Sequence, residues 1–230
     1  MELPSIQLHN ASVRFEDRTV LDEITLELNE RRIGIIGANG AGKSTLSRLL
    51  NALVLPTRGT VLIDGLDTAR HAKTVRRDVG FVFQNPANQI IMPIVADDIA
   101  FGLKNLKLPA AERTQRVEQV QAQLGISHLA QRESHSLSGG EQQMVALAAV
   151  IAMRPRTIVF DEPTTMLDLR NKLAFQREIA KLEQRAIVVT HDLEILEDFD
   201  RVLVVTDARI AFDGAPAAAL EHYRQWSFAC

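Results

Sequence analysis

The chain has 230 residues, 46% of them hydrophobic and 24% charged, with a formal net charge of −3. That composition belongs to a globular domain with a well-buried core, and the small acidic excess excludes a protein that coats nucleic acid through a basic surface. The one cysteine, Cys230, excludes an internal disulfide and suits a reducing compartment.

The opening stretch, MELPSIQLHN, carries no basic region ahead of an apolar core, which predicts no secretory signal. Ile6–Phe15 and Val20–Leu28 alternate apolar and polar residues around EDRT, the pattern of an antiparallel strand pair. RRIGIIG is a short apolar run of the kind that makes a buried strand, and a helix is expected from Lys43. Val61–Ile63 and Val79–Phe83 are further strand candidates. From about Asp97 to Met153 strand signals give way to helical ones: Val117, Val120 and Leu124 mark one helical face, and 138–153 a second helix. Its apolar run, Met144 to Met153, falls well short of the roughly 20 residues that span a bilayer.

Strands resume at TIVF (157–160), AIVVT (186–190) and RVLVV (201–205), with helical stretches between the first two and around Leu193–Asp198. Pro4, Pro56, Pro86, Pro109 and Pro155 stand at or near segment edges, with no low-complexity linker or internal repeat. The reading is an α/β sheet domain interrupted by a helical lobe. It forms one domain over 1–230, with a core of 1–96 and 154–230 and a lobe of about 97–153.

GANGAGKST matches the phosphate-loop spacing of glycine, four residues, then Gly-Lys-Ser, and lies between a buried strand and a helix. Gly37, Gly40 and Gly42 let the backbone of Gly37, Ala38, Asn39, Gly40, Ala41 and Gly42 wrap a phosphate with N–H groups inward. Lys43 supplies charge to the β and γ phosphates, Ser44 offers a hydroxyl to Mg²⁺, and Thr45 continues the loop into the helix. A bare glycine turn would not place Lys and Ser-Thr in register. TIVFDEPT ends a strand in two acids at the carboxyl edge of the sheet, where α/β ligands bind. Asp161 is the expected Mg²⁺-side carboxylate and Glu162 the base for an attacking water. Gln84 and His191 follow other apolar strands, where glutamine can bridge Mg²⁺ and water and histidine can donate to the γ phosphate. His9, His71, His128, His135 and His222 read as ordinary polar residues. Ser138 with Glu141 forms a capping box at a second glycine-flanked helix start, an anion-binding end.

The order of phosphate loop, Gln84, LSGGE, DEPT, Asp168 and His191 resembles the ATP-binding-cassette (ABC) ATPases over essentially the whole chain. The resemblance implies a RecA-like core with an antiparallel β part and an inserted α-helical signature lobe. It implies ATP as substrate with Mg²⁺, adenine stacked on Phe15, a subunit-contacting loop at Asp168, and His191 as the switch histidine. It also implies two domains facing head to tail, so that Ser138, Gly139 and Gly140 cap the ATP held by the partner. All the catalytic residues stand in one chain, so two copies of it can form a homodimer.

FQNPANQIIMPIVADDIAFGLKNL is similar to the glutamine-containing segment of energy-coupling-factor (ECF) vitamin and metal-ion importers. Pro86, Gln89, Ile90 and Ile91 match it, while Ala87 and Asn88 replace the acids often found there. The ECF resemblance implies that Gln89 contacts a membrane subunit. Its partners would be an integral coupling protein and a membrane protein that binds the solute, at the cytoplasmic face of a bacterial membrane and without nucleic acid. DEPTTMLDLRN with THDLEILEDFDRVLVV looks most like the ATPases of biotin importers; Met144 replaces the arginine many family members carry, and Ala149 follows on the same helix. Cobalt, nickel or other vitamin importers, and soluble non-transport ABC ATPases, are the alternatives.

Overall fold

The computed structural model describes residues 3–229, so Cys230 lies outside the described residues. β1 (Ile6–Phe15) and β2 (Arg18–Leu28) pair antiparallel, Ile6 opposite Leu28 and Phe15 opposite Arg18. Alternation puts Ile6 and Leu8 of β1 inside, and a register shift after Leu8 brings Ala11 and Val13 into the same core. β4 (Arg58–Ile63) and β5 (Leu66–Asp67) complete a four-stranded antiparallel sheet in the order β2-β1-β4-β5.

The second sheet contains β3 (Arg32–Gly37), β6 (Val79–Val82), β7 (Thr157–Asp161), β8 (Arg185–Val189), β9 (Arg201–Thr206) and β10 (Arg209–Gly214). Its order is β10-β9-β3-β8-β7-β6, parallel except for β10. The uninterrupted apolar runs follow from burial on both faces. On one face Ile33, Ile35, Val159, Ile187, Val189, Leu203 and Val205 join the core shared with the antiparallel sheet and with α1 (Lys43–Leu50). On the other, Ile158, Phe160, Ala186 and Val188 pack under the helical lobe, and Ile36, Val202 and Val204 under α7 (Pro216–Ala229). Each fully buried Val, Leu, Ile or Phe side chain contributes about 1.5–3 kcal/mol.

The lobe is built from α3 (Val95–Leu103), α4 (Ala110–Gln123) and α5 (Gly139–Ala152). Val117 and Val120 are buried on α4 as their spacing predicts, and Leu124 is half-buried at its end. Two further helices, α2 (Thr68–Asp78) and α6 (Leu169–Lys181), connect strands of the core. The structure departs from expectation in places. Phe83 lies beyond β6, which ends at Val82. The stretch around Leu193–Asp198 contains only a single 3-10 turn, Glu194–Leu196. Neither α2 nor α7 is anticipated by the apolar pattern.

Candidate active site

β3 ends at Gly37, and the chain turns through the loop into α1. Gly42 sits at the N-cap with φ 107°, and no side chain caps the helix. A Cβ there would lie 2.5 Å from the Val20 carbonyl oxygen, so only glycine fits both the angle and the approach. The uncapped N–H groups of the first turn therefore point into an open cleft, as an anion-binding helix end requires. Lys43 folds back over the loop, its Nζ donating to the carbonyls of Gly37 (2.8 Å) and Ala38 (2.9 Å). Burial pulls the Lys43 pKa below the ordinary lysine value, opposed by the carboxylates of Glu162 and Asp161.

The two acids sit at the carboxyl end of β7. Asp161 is only 3% exposed, and its Oδ1 accepts from Ser44 Oγ at 2.8 Å while Oδ2 accepts from Arg48 Nη2 at 3.2 Å. Glu162 stands at φ 52°, in the left-handed region that a side chain adopts only when its surroundings hold it there. Its own N–H donates to Val189 O, tying it to β8. Its Oε2 accepts from Thr165 Oγ1 (3.1 Å) and from the backbone N–H of His191 (3.3 Å). Its Oε1 lies 3.0 Å from His191 Nε2 but out of line for a hydrogen bond, so it is buried and unbonded. A buried carboxylate oxygen with no donor is the exception among buried polar atoms, and it leaves an acceptor free beside the cleft.

Phe15, Lys43, Ser44, Gln84, Glu162 and His191 all line one cleft of about 410 Å³, together with Asn39, Gly40, Gly42 and Thr45 of the loop. Phe15 is half exposed at the end of β1. Ala38 and Ala41 border a neighbouring cleft behind the loop. The described residues contain no group of three or more His, Cys, Asp or Glu able to hold a metal. The oxygens of Ser44 and Asp161 instead fit a hard cation that arrives with phosphates and keeps several waters.

Ser138, Gly139, Gly140 and Asp168 line no part of that cleft. Ser138 caps α5 in the expected capping box: its N–H donates to Glu141 Oε2 at 2.8 Å, and its Oγ accepts from the Glu141 N–H at 3.4 Å. The Ser138 N–H, together with the Ser138 Oγ–H that donates to Glu141 Oε2 at 2.8 Å, holds the Glu141 carboxyl below the usual carboxylate range. Asp168 caps α6, its Oδ1 accepting from Asn171 N–H at 2.8 Å. A Cβ on Gly140 would lie 2.5 Å from the Asn171 side chain, so the two helix starts touch within the chain.

Gln89 sits apart from both. Its Oε1 accepts from Phe83 N–H (3.2 Å) and its Nε2 donates to Ala146 O (3.0 Å). Its amide is thus engaged at both ends between the strand edge and α5. Three further residues at or beside the site have no role assigned by the sequence: Arg48 and Thr165, which bond Asp161 and Glu162, and Arg18, whose Nη2 lies 3.5 Å from Gly40 O. The i, i+4 spacing of Ser44 and Arg48 on α1 was the available signal for Arg48.

A phosphate loop opening α1, two acids ending β7 and a separate capped serine–glycine helix start within one α/β fold define an ATP-hydrolysing domain. The sequence model of the ABC transporter family matches residues 21–165, and the chain belongs to that family. It is 51% identical over 221 residues to the biotin transport ATP-binding protein BioM of Rhizobium etli, covering 96% of this chain and 98% of that protein. It is 44% identical over 204 residues to the energy-coupling factor transporter ATP-binding protein EcfA1 of Caldanaerobacter subterraneus, covering 86% of this chain and 74% of that one. The structure of CbiO1 from Clostridium perfringens, part of the ABC transporter complex cbiONQ, superposes with a TM-score of 0.85 at 30% identity, covering 98% and 94% of the two chains.

Proposed function

We propose that this chain is the motor of an ECF-type importer of biotin, hydrolysing ATP in a head-to-tail pair of identical chains. The observation that supports the mechanism is that two anion-binding helix ends stand apart in one chain. The phosphate loop, Glu162 and His191 share a cleft, while Ser138, Gly139 and Gly140 present a second anion-binding end elsewhere. A second copy, turned head to tail, brings that end over the first copy's phosphates, so nucleotide is shared between chains and drives their association.

Within the closed site Lys43 leaves the loop carbonyls for the β and γ phosphates, exchanging one set of acceptors for a charged one. Phe15 stacks on adenine, Gln84 orients the attacking water, and Glu162 Oε1 takes its proton, being the unbonded buried acceptor nearest His191. His191 donates toward the γ phosphate. Ser44, Asp161 and Gln84 would hold Mg²⁺, which would supply charge neutralisation to the phosphates.

Coupling runs through a second cleft, of about 270 Å³, whose walls include Leu53, Phe81, Phe83, Ile91, Phe101 and Met153. Ile91 is 68% exposed at its edge, an apolar side chain that a docked helix would cover. Among the described residues no helix is long and apolar enough to cross a membrane. The proposed occupant is a helix of an integral coupling protein at the cytoplasmic face of the membrane, beside a second membrane protein that binds the solute, a reading supported by the likeness to an energy-coupling factor transporter ATP-binding protein. Gln89 fixes the floor of this cleft through its two internal bonds. The lobe over 97–153 moves as one body with the signature helix start, which is how closure reaches the docked helix. Biotin as solute is supported by the likeness to the Rhizobium etli protein.

The test is uptake of labelled biotin by vesicles carrying this chain with its membrane partners. Uptake that requires ATP, and that Lys43→Ala abolishes, supports the reading. ATP-driven uptake of cobalt or nickel with none of biotin would assign the chain to a metal importer.

A further inference from the structure

Asp161 is buried at the end of β7, and its ion-pair partner is Arg48, from the last turn of α1. Ser44 and Arg48 stand four residues apart on that helix, so both reach the same carboxylate from one helix face, each bonding a different oxygen. Lys43 is also drawn toward Asp161, but its ammonium is bonded to Gly37 O and Ala38 O. Glu162, the neighbouring acid, adds like charge. Without the guanidinium, the empty site would hold two adjacent, nearly buried carboxylates with no cation bonded to either. Such an arrangement is costly in a low-dielectric setting.

We propose that Arg48 serves as the counter-ion of Asp161 when no divalent cation is bound, and thereby sets how tightly the Ser44–Asp161 pair takes one. This rests on the reading of the cleft as a metal–ATP site. A dication that reaches Asp161 meets the Arg48 charge already in place, and the two repel. Arg48 therefore lowers the cation affinity of the loaded site while stabilising the empty one. The trade favours release of the cation once hydrolysis has broken the phosphate chain. Arg48 does not itself line the nucleotide cleft, and its guanidinium acts through Asp161.

The test uses Mn²⁺ with ATP as probe, following free Mn²⁺ by electron paramagnetic resonance on the full chain. Arg48→Met keeps the apolar stem and removes the charge, while Arg48→Lys keeps a charge in place. Expected are about ten-fold tighter Mn²⁺ binding in Arg48→Met and near wild-type binding in Arg48→Lys. A second readout is the rise in melting temperature on adding Mg·ATP, which should be larger in Arg48→Met than in wild type. A merely structural role would lower both melting temperatures and leave their difference unchanged. Equal or weaker Mn²⁺ binding in a folded Arg48→Met chain overturns the proposal; if that variant does not fold, Arg48→Gln carries the same comparison. Wild-type chain that binds no Mn²⁺ with ATP overturns the reading of the cleft itself.

Discussion

Replacing Glu162 by glutamine exchanges one carboxylate oxygen for an amide of the same size. The bonds from Thr165 Oγ1 and His191 N–H to Oε2 survive, because the amide retains an oxygen that can take that position. The amide nitrogen then falls where Oε1 lies now, buried, unbonded and 3.0 Å from His191 Nε2. Folding is therefore preserved, and the loss of a buried charge without a bonded cation costs the chain no stability. The chemistry is not preserved, because an amide cannot take a proton from water at neutral pH. A positioned general base contributes about 10²–10⁴-fold in rate, so turnover should fall by at least about 100-fold. The Lys43 ammonium and the phosphate-loop N–H groups are untouched, and nucleotide affinity should stay within about three-fold of wild type. The assay pairs steady-state phosphate release with fluorescent-nucleotide titration. Turnover within ten-fold of wild type, with binding intact, would refute the role of Oε1 and move the base elsewhere.

Gln89→Ala removes both internal bonds under the coupling cleft. Solute uptake by the complex should fall several-fold while ATP binding by the purified chain is unchanged, and normal uptake would leave Gln89 an ordinary amide strut. The Glu141 carboxyl is depressed by its bonds to Ser138, so its contribution to stability is present above the unfolded carboxylate value of about 4.3 and lost as pH falls through the lower folded value. Glu141→Gln should cost about 0.5 kcal/mol at pH 7, the lower end of a capping interaction, because the site is part-exposed. Denaturant unfolding should show that gap closing below about pH 4; a constant gap across the range would contradict the assignment.

What the sequence made legible follows the physics of each element. β3, β7, β8 and β9 are covered on both faces, so they read as unbroken apolar runs. α2 buries only Thr68 and Val75, and departs from helical geometry at His71, leaving no apolar period to find. α7 meets the core through few residues, Ala219 and Leu220 among them, in an alanine-rich start. The motif residues of the cleft were readable because their spacing is dictated by a phosphate. Arg48 was not, since its partner lies 113 residues away on another element. The internal bonds of Gln89 were hidden for the same reason, its acceptor on α5 being 57 residues distant.

The claim that each site is shared between two chains is tested most directly by mixing two inactive variants. Ser138→Arg spoils the cap a chain offers its partner, and Lys43→Ala spoils the chain's own phosphate loop. In a purified heterodimer of the two, one composite site is wholly wild type and the other carries both lesions. ATP turnover in that heterodimer, with none in either variant alone, is the predicted result. Undiminished turnover by Ser138→Arg alone would contradict it.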